Sequence, residues 1–364
     1  MKAKLILSII LIGFLNANCS DDVQEYQNIP DAKVALGKQI FFDKNLSNPI
    51  GQACASCHSP DKGFSDSLNQ LISVGANGTS FSNRNAPNLA YNVFAPTQFY
   101  NTLDETYIGG FFYDGRSPSL REQMIHPFIG STEMNNGSIA NVIIKIKNAN
   151  YYNDLITIYG NQTGDSDIFN AVADALTKFE TSREVNSFTS KFDYASKGLI
   201  QFTEDEKQGL ALFQGKGKCA QCHVIDEDSN TGKVLFTDFS YDNLGIQRNN
   251  SNPFYNQQSN QEGSLYRDLG IGIIKNEPQH NGKFKVPSLR NASISAPYYH
   301  NGSIATLKEA IHFYNVRDLN TGEFGAAEYS LNVNKTELGN LGLTEKEELQ
   351  IEIFINTLTD HYRK

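Results

Sequence analysis

The sequence predicts a mainly α-helical protein made of two similar units with long loops, on three observations. Apolar residues recur at helical spacing between residues 168 and 179. Three further segments begin with a threonine followed three residues later by a glutamate, the pattern of a capping box. These pairs are Thr203 with Glu206, Thr306 with Glu309, and Thr344 with Glu347. The pentapeptide C-x-x-C-H occurs twice, at 54–58 and 219–223, so each half of the 364-residue chain carries one copy.

The first residues of the chain, MKAKLILSIILIGFLNANC, are typical of an export signal. Two lysines precede an apolar run from 5 to 15 that is too short to span a bilayer. The run leads to Cys19 and then to serine and aspartates, which resembles a bacterial lipoprotein signal in which residues 1–18 are removed. Cys19 would then carry the lipid, which would be the only membrane attachment of a periplasmic or outer-membrane lipoprotein. The alternative is ordinary signal cleavage nearby, which would leave a soluble periplasmic protein.

The remaining chain divides into an N-terminal unit, 19–195, and a C-terminal unit, 196–364. A helix-like apolar run and a glycine-containing turn precede both pentapeptides, in LGKQIFFDKNLSNPIGQA and in GLALFQGKGK, which indicates a duplicated unit. We expect a hinge at 181–199. The stretch 226–282 is rich in Asn, Gln, Ser and Gly and predicts long loops. The final segment, TEKEELQIEIFINTL, predicts a terminal helix that packs Leu349, Ile353 and Phe354 on a core.

Composition excludes several classes of protein. Hydrophobic residues make up 39% and charged residues 20%, as in a soluble globular protein rather than a disordered or fibrous one. The net charge is −9, and no stripe dense in Lys and Arg offsets it. A nucleic-acid-binding surface is therefore not expected.

In an exported chain, C-x-x-C-H indicates covalent attachment of a c-type haem. The two thiols form thioethers with the haem, and the adjacent histidine ligates the iron. A zinc site would combine ligands from paired motifs, but here each pair has its own histidine and its own unit. A thioredoxin-like pair needs no histidine and sits in a βαβ context that is missing. We therefore expect two haems c, held by Cys54, Cys57 and His58 and by Cys219, Cys222 and His223.

The sixth iron ligands decide what each haem does, because a haem with both axial sites filled mainly transfers electrons while an open one activates oxygen species. The first half offers only His126, Met124 and Met134 besides its motif histidine. The second half contains no methionine, which excludes a His/Met haem there. The candidates in the second half are a tyrosine or one of His280, His300, His312 and His361.

Several motifs resemble those of the bacterial dihaem cytochrome c peroxidases and their MauG-type relatives, from about Leu36 to Asp360. They are RNAPNL at 84–89, FFYDGR at 111–116, STEM at 131–134, FKVPSLRN at 284–291 and APYYHNG at 296–302. The resemblance implies that the first haem is the peroxidatic one. It matches Glu133 to a distal glutamate that moves a proton between the peroxide oxygens, and Gln123 to a glutamine above the same haem.

Two further matches concern the space between the haems. Tyr113 matches a tryptophan that the family places there as an electron relay, and this chain contains no tryptophan. Tyr113 is then either a relay that loses its phenolic proton on oxidation or an aromatic spacer. Asn85 matches a side chain that binds calcium between the haems, completed by the backbone carbonyls of Ser295 and Pro297; it could equally cap a turn.

The chain departs from the peroxidases of this family at two places. The loop after the first motif reads LISVGANGTSFSNRN, with Ala76 and Asn77 where a removable distal histidine would fall. We therefore expect the first haem to be open without prior reduction. In the second unit, Tyr314 stands where the peroxidases have a methionine ligand, as in MauG-type proteins. A phenolate favours the higher oxidation states of iron; the alternative is a core tyrosine.

The resemblance thus implies a peroxidase that reduces H2O2 at the first haem, with electrons from a small cytochrome c or cupredoxin passed through the second. A MauG-like oxidation of a protein or organic substrate is the alternative, favoured by Tyr314. A third possibility is a dihaem electron carrier or sensor without catalysis, in which both haems would be six-coordinate. Members of the family often form homodimers.

Overall fold

Helices dominate the structure, so the expected mainly α fold is confirmed. The computed structural model describes residues 31–66, 68, 70–161, 164–319 and 321–363. The export signal 1–18 and Cys19 lie outside these residues. The helices of the first half are α1 (Ala32–Phe41), α2 (Cys54–Cys57), α3 (Leu120–Gln123), α4 (Ile125–Ile129), α5 (Ile139–Lys147), α6 (Tyr152–Tyr159), α7 (Asp165–Glu180) and α8 (Lys191–Ser196). Those of the second half are α9 (Glu204–Gln214), α10 (Ile271–Lys275), α11 (Leu307–Val316), α12 (Thr321–Phe324) and α13 (Glu345–Asn356).

Three short antiparallel ladders complete the secondary structure of the described residues. They pair β1 (Phe99–Asn101) with β2 (Thr106–Ile108), β3 (Glu227–Asp228) with β4 (Lys233–Val234), and β5 (Tyr241–Asp242) with β6 (Phe284–Lys285). Two of these ladders involve the polar stretch 226–282, which also contains α10 and three short 3-10 helices between its turns and loops. No helix among the described residues is long and apolar enough to cross a membrane.

Two helix crossings repeat the same design in the two halves. A Cβ atom added to Gly37 of α1 would lie 2.0 Å from a backbone oxygen of α7, and one added to Gly209 of α9 would lie 2.0 Å from a backbone oxygen of α13. Only glycine permits such an approach. Four residues after each glycine, Phe41 and Phe213 are fully buried. This correspondence explains the similar sequences that precede the two pentapeptides.

The predicted capping boxes and core positions are largely observed. Thr203, Thr306 and Thr344 each cap a helix, α9, α11 and α13 respectively, with the expected glutamate. The apolar residues between 168 and 179 are buried on α7. On α13 the expectation for Leu349 is wrong, because this side chain is exposed. The buried apolar residues of this helix are Ile351, Phe354 and Ile355. Leu349 lies two positions before Ile351, which is a rotation of 200° in a helix of 3.6 residues per turn, so its side chain points away from the core.

The expected hinge, 181–199, contains structure. Ser190 and Asp193 form a capping box that opens α8 within it. Asp193 also accepts two hydrogen bonds from the guanidinium of Arg290, at 3.0 and 2.8 Å, and both side chains are buried. A bidentate buried ion pair therefore fastens this segment to the motif FKVPSLRN in the second half.

Candidate active site

The first C-x-x-C-H motif forms part of the wall of a cavity. Cys54 and Cys57 lie on α2, and His58 follows at its C-terminal end. Nδ1 of His58 donates a hydrogen bond to the carbonyl oxygen of Phe64 at 3.1 Å. Because a carbonyl only accepts, this bond keeps the proton on Nδ1 and leaves the lone pair of Nε2 for an iron ion. Burial lowers the pKa of His58, which favours the neutral imidazole that ligation requires.

The second motif repeats this arrangement at a second cavity. Cys219 opens a 3-10 turn, Cys219–Gln221, and Cys222 and His223 follow it. Nδ1 of His223 donates to the carbonyl oxygen of Phe236 at 3.0 Å. Burial lowers the pKa of His223 to about 4. The two motif histidines therefore present the same tautomer, each to its own cavity.

The properties of the motif cysteines bear on the two alternatives to haem attachment, a zinc site and a thioredoxin-like redox pair. They form no disulfide with one another, and each lines one of the two cavities. Burial raises the pKa of Cys57 to about 11 and that of Cys219 to about 12, whereas a redox-active pair needs a lowered pKa. Within the described residues, no three His, Cys, Asp or Glu side chains are grouped to hold a metal ion.

The structure places Glu133 and Gln123 on the wall of the first cavity, together with His58. Gln123 ends α3, and Glu133 lies in the turn after α4, where its backbone N–H donates to the carbonyl of Gly130 at 3.1 Å. Burial raises the pKa of Glu133, and the charge of Arg116, which lines the same cavity, opposes that rise. A carboxyl group in this situation can accept a proton and return it.

The loop that carries Ala76 and Asn77 packs against this turn. The backbone N–H of Ala76 donates to the carbonyl of Glu133 at 2.7 Å. The side chain of Asn77 accepts hydrogen bonds from the backbone of Thr79 and Ser80, which closes a tight turn. Residues 75–81 do not contribute to the lining of the first cavity.

Few side chains in the first cavity could act as a second axial ligand. Of the histidines in the described chain, only His58 lines it. His126 lies on α4 outside the lining, and its ring contacts that of Phe112 edge-on, with centroids 5.4 Å apart. Met124 and Met134 are buried and do line the cavity.

Tyr314 lies on α11 and lines the second cavity. Burial raises its pKa, and the neighbouring thiols of Cys222 and Cys219 raise it further. The phenol group is thus close to both sulfurs of the second motif. A bound metal cation would reverse this shift, since it favours the phenolate.

Among the candidate histidines of the second half, only His300 lines the second cavity. It is buried, its Nε2 has no hydrogen-bond partner among the described residues, and its ring stacks on that of Phe284 with centroids 3.6 Å apart. His312 instead binds Glu348 through Nδ1 at 2.9 Å. The histidines excluded from the lining are His280, His312 and His361. Of the four candidate histidines, the structure therefore places only His300 on the same lining as Tyr314.

Tyr113 lies in the wall between the two cavities and lines both of them. Burial raises its pKa, and the charge of Arg84 opposes the rise. The other residues that line both cavities are Asn85, Ala86, Asn88, Lys285 and Pro287. Tyr113 therefore lies between the two cavities, where it could act either as an electron relay or as an aromatic spacer.

The structure also brings the three expected calcium ligands to one region. Asn85, Ser295 and Pro297 all line the second cavity. The amide nitrogen of Asn85 donates to the carbonyls of Leu71 at 2.9 Å and Gln70 at 3.2 Å. Any cation would therefore have to bind the amide oxygen.

Comparison with known proteins agrees with this geometry. A family model described as "Di-haem cytochrome c peroxidase" matches residues 31–201. The chain is 32% identical over 352 residues to the methylamine utilization protein MauG of Paracoccus denitrificans (strain Pd 1222), covering 91% of this chain and 89% of that protein. It is 31% identical over 302 residues to the cytochrome-c peroxidase IdrP1 of Pseudomonas sp. (strain SCT), covering 78% of this chain and 72% of that one. The chain belongs to the di-haem cytochrome c peroxidase family.

A solved structure supports the same conclusion. The diheme peroxidase BthA from Burkholderia thailandensis E264 superimposes with a TM-score of 0.80 at 28% identity, over 91% of this chain and 87% of that one. As a member of the di-haem cytochrome c peroxidase family, this protein is a peroxidase-type oxidoreductase that binds two haems c and uses hydrogen peroxide.

The linings of both cavities fit covalent haem c. Besides the motif residues, several residues of the two linings have a buried polar atom for which the described part of the chain provides no hydrogen-bond partner. These atoms are Oε1 of Gln52, Oδ1 of Asn88, Oε2 of Glu180 and Nε2 of His300. Unpaired buried polar atoms are costly, so their presence at these linings is consistent with a large prosthetic group that carries its own polar substituents.

A cluster of buried charges between the cavities was not predicted from the sequence. Arg84 binds Asp268 through two hydrogen bonds of 2.7 Å and contacts Asp114 at 2.6 Å. Burial would raise the pKa of Asp268, but the charge of Arg84 outweighs it and brings the pKa to about 2. Arg116 also binds Asp114, and Lys285 lies nearby. Most of these residues belong to motifs quoted above, but nothing in one sequence shows that a single charge is buried.

Proposed function

We propose that this chain is an exported dihaem c peroxidase that reduces hydrogen peroxide in the first cavity with electrons delivered through the second. The observation that carries this proposal is the placement of His58, Glu133 and Gln123 around one cavity, with Tyr113 in the wall towards the other. When bound, the haem irons provide the peroxide-binding site and store the electrons.

Each haem would be held by the motif of its own half, with units 19–195 and 196–364 as the two haem domains. The thioether residues would be Cys54 and Cys57 in the first and Cys219 and Cys222 in the second. His58 and His223 would be the proximal ligands. Nδ1 of each histidine donates its proton to a backbone carbonyl, so Nε2 is left to bind iron.

Glu133 would carry the proton transfer. Its carboxylate accepts a proton from one oxygen of hydrogen peroxide and gives it to the other oxygen, which leaves as water. Two electrons and two further protons complete the reduction to two molecules of water. Gln123 would orient the peroxide by hydrogen bonding from the same wall. General acid–base catalysis of this kind contributes about 10²- to 10⁴-fold to rate.

The lining of the first cavity supports an exchangeable coordination position at the first haem. His58 is the only described histidine there, and the loop that would carry a second one instead packs its backbone on Glu133. We therefore expect activity without prior reduction of the second haem.

Tyr314 is the favoured sixth ligand of the second haem. It lines the second cavity together with both cysteines of the second motif, Cys219 and Cys222. The charges that act on His300 are instead those of Asp268 and Arg84, which belong to the cluster between the cavities. A phenolate donor would give the second haem a low reduction potential.

The remaining parts of the proposal concern location and partners. A small cytochrome c or cupredoxin would supply electrons to the second haem. Calcium would bind between the haems at Asn85, Ser295 and Pro297, where one amide oxygen, two carbonyls and water make a suitable oxygen set. Lipidated Cys19 would attach the protein to a periplasmic membrane face.

A MauG-like oxidation of a protein or organic substrate is the second candidate. It is favoured by Tyr314 in the second cavity and by the similarity to MauG of Paracoccus denitrificans. In that case the electrons that reduce the peroxide would come from the oxidised substrate, by long-range hole transfer, and not from a small donor protein.

The first test is low-temperature EPR of the as-isolated ferric holoprotein, wild type beside Tyr314→Phe and His300→Gln. We expect one high-spin signal from the first haem and one low-spin signal that only Tyr314→Phe abolishes. Two low-spin signals that Tyr314→Phe leaves unchanged would contradict both the open site and the tyrosine ligand.

Turnover of peroxide with reduced cytochrome c should fall at least 100-fold in Glu133→Gln. Peroxide consumption coupled to oxidation of a protein or organic substrate, without oxidation of reduced cytochrome c, would favour the MauG-like alternative.

A further inference from the structure

Lys285 is a buried lysine that lines both cavities. It lies on β6, opposite Tyr241 of β5. Its ammonium group faces the rings of Phe111 and Phe239, with the nitrogen 5.4 and 6.0 Å from their centroids. An ammonium group buried away from water is costly unless it is well bound, so its contacts indicate why it is there.

Both the backbone and the side chain of Lys285 bind the same loop, residues 110–113. The backbone N–H of Lys285 donates to the carbonyl of Tyr113 at 2.8 Å, and its ammonium group donates to the carbonyl of Gly110. The loop has left-handed backbone angles at Gly110, where φ is +75°, and at Phe112, where φ is +63°. Such an angle is unfavourable for phenylalanine, so the loop needs external contacts to keep its shape. Lys285 supplies two of them, one directly at Tyr113.

The charges around Lys285 do not cancel. Asp114 is the acidic group that acts on it, and Asp114 is already bound by Arg84 at 2.6 Å and by Arg116 at 3.0 Å. Arg84 in turn is shared with Asp268. With Lys285 protonated, the cluster contains three positive and two negative groups. Burial lowers the pKa of Lys285 to about 7, and Asp114 opposes that decrease.

We propose that Lys285 is a positioning residue for electron transfer between the two haems, because it holds Tyr113 in the wall between the cavities and places a positive charge beside both of them. This inference rests on the proposed function, in which electrons cross that wall. A nearby positive charge favours the reduced haem, which carries one positive charge fewer than the oxidised haem. Since Lys285 lines both cavities, its charge raises both reduction potentials.

The test compares wild-type holoprotein with Lys285→Met, which keeps a similar volume but removes the charge and the bond to Gly110. Spectroelectrochemical titration gives both midpoint potentials, and pulse radiolysis gives the rate at which an electron redistributes between the haems. We expect both potentials to fall and the inter-haem rate to fall at least tenfold, while the EPR signals of both haems keep their wild-type spin states.

Two control variants separate this role from general destabilisation. Lys283→Met removes the same charge two residues away, outside both cavity linings, and should leave both potentials and the rate close to wild type. Lys285→Arg keeps the charge and should keep both potentials close to wild type. Should Lys285→Met yield no holoprotein, Lys285→Gln takes its place in the comparison.

A change in only one potential, or an unchanged inter-haem rate, would overturn the proposal. This outcome is distinguishable from failure of the proposed function. If Tyr314→Phe and Glu133→Gln behave as expected while Lys285→Met behaves as wild type, only the role of Lys285 is lost.

Discussion

The guanidinium group of Arg116 acts on the carboxyl group of Glu133 in the first cavity. Burial raises the pKa of Glu133, and the positive charge of Arg116 opposes that rise. Arg116 is itself held in place, because it donates to Asp114 at 3.0 Å and lies over the ring of Phe112, 3.4 Å from its centroid. Burial and the charge of Arg116 together set the pH above which Glu133 is ionised.

Replacement of Arg116 should therefore move the pH dependence of peroxide reduction. Glu133 must be ionised to accept a proton, so kcat/KM should fall as the pH decreases through its pKa. In Arg116→Gln the opposing charge is gone, the pKa of Glu133 rises further, and the acidic limb should shift to higher pH. We expect a shift on the order of one unit or less, since Arg116 is partly exposed and screened. The measurement is the pH profile of kcat/KM with saturating donor.

Arg121 provides a matched control for this experiment. It lies on α3, is exposed, and does not line the first cavity. Arg121→Gln removes the same charge from the protein and should leave the acidic limb in place. An equal shift in both variants would mean that overall charge, and not the contact with Glu133, determines the limb.

The two roles considered for Tyr113 predict different effects of substitution. Burial raises its pKa, which disfavours loss of the phenolic proton, so we expect the ring to act as an aromatic spacer. Tyr113→Phe should keep the inter-haem electron-transfer rate within about threefold, whereas Tyr113→Leu should lower it at least tenfold. A large loss in Tyr113→Phe, with a solvent deuterium isotope effect in the wild type, would instead establish a relay.

The parts of this fold that depend on local sequence were predictable. Helix starts follow from one threonine and one glutamate three residues apart, and haem attachment follows from five consecutive residues. The roles of Glu133 and Tyr314 depend on a resemblance, because neither residue differs in composition or spacing from an ordinary surface carboxylate or core tyrosine.

The charge cluster between the cavities was not predictable for a physical reason. Arg84 and Asp268 are 184 positions apart in the sequence. Asp268 belongs to the polar stretch 226–282, whose composition predicts exposed loops. Burial of these charges is decided by how the two halves pack, not by any local period. The same holds for Lys285, whose neighbours come from loops of both halves.

Tyr299 should tune the second haem through Tyr314. The two tyrosines line the same cavity, and an interaction with the Tyr299 hydroxyl, which also donates to the carbonyl of Ala310 at 3.3 Å, lowers the pKa of Tyr314 against the larger effect of burial. That interaction withdraws electron density from the oxygen that would bind iron. In Tyr299→Phe the phenolate would be a stronger donor, so the midpoint potential of the second haem should fall while that of the first stays constant. Tyr298→Phe is the matched control, because Tyr298 lines the same cavity but donates to the carbonyl of Ala292.

Glu180 is a buried carboxyl group that should make stability depend on pH. It ends α7, lines the first cavity, and its Oε2 has no hydrogen-bond partner in the part of the chain that the structure describes. Burial raises its pKa from 4.5 to about 8 in the folded protein. Between these values the unfolded chain loses the proton while the folded protein keeps it, so the folded state loses stability as the pH rises. Each unit of difference corresponds to about 1.4 kcal/mol.

Glu180→Gln removes this titration and should therefore gain stability relative to wild type as the pH increases. Urea unfolding of the two holoproteins at pH 5.5 and pH 8.5 measures the effect, and we expect the difference in unfolding free energy to be larger at pH 8.5. Glu184→Gln is a suitable control, because Glu184 is exposed and pairs with Lys38 at the surface. It should show no such trend. A difference between Glu180→Gln and wild type that is the same at both pH values would mean that Glu180 is ionised in the folded protein, with a counter-charge supplied by the bound haem.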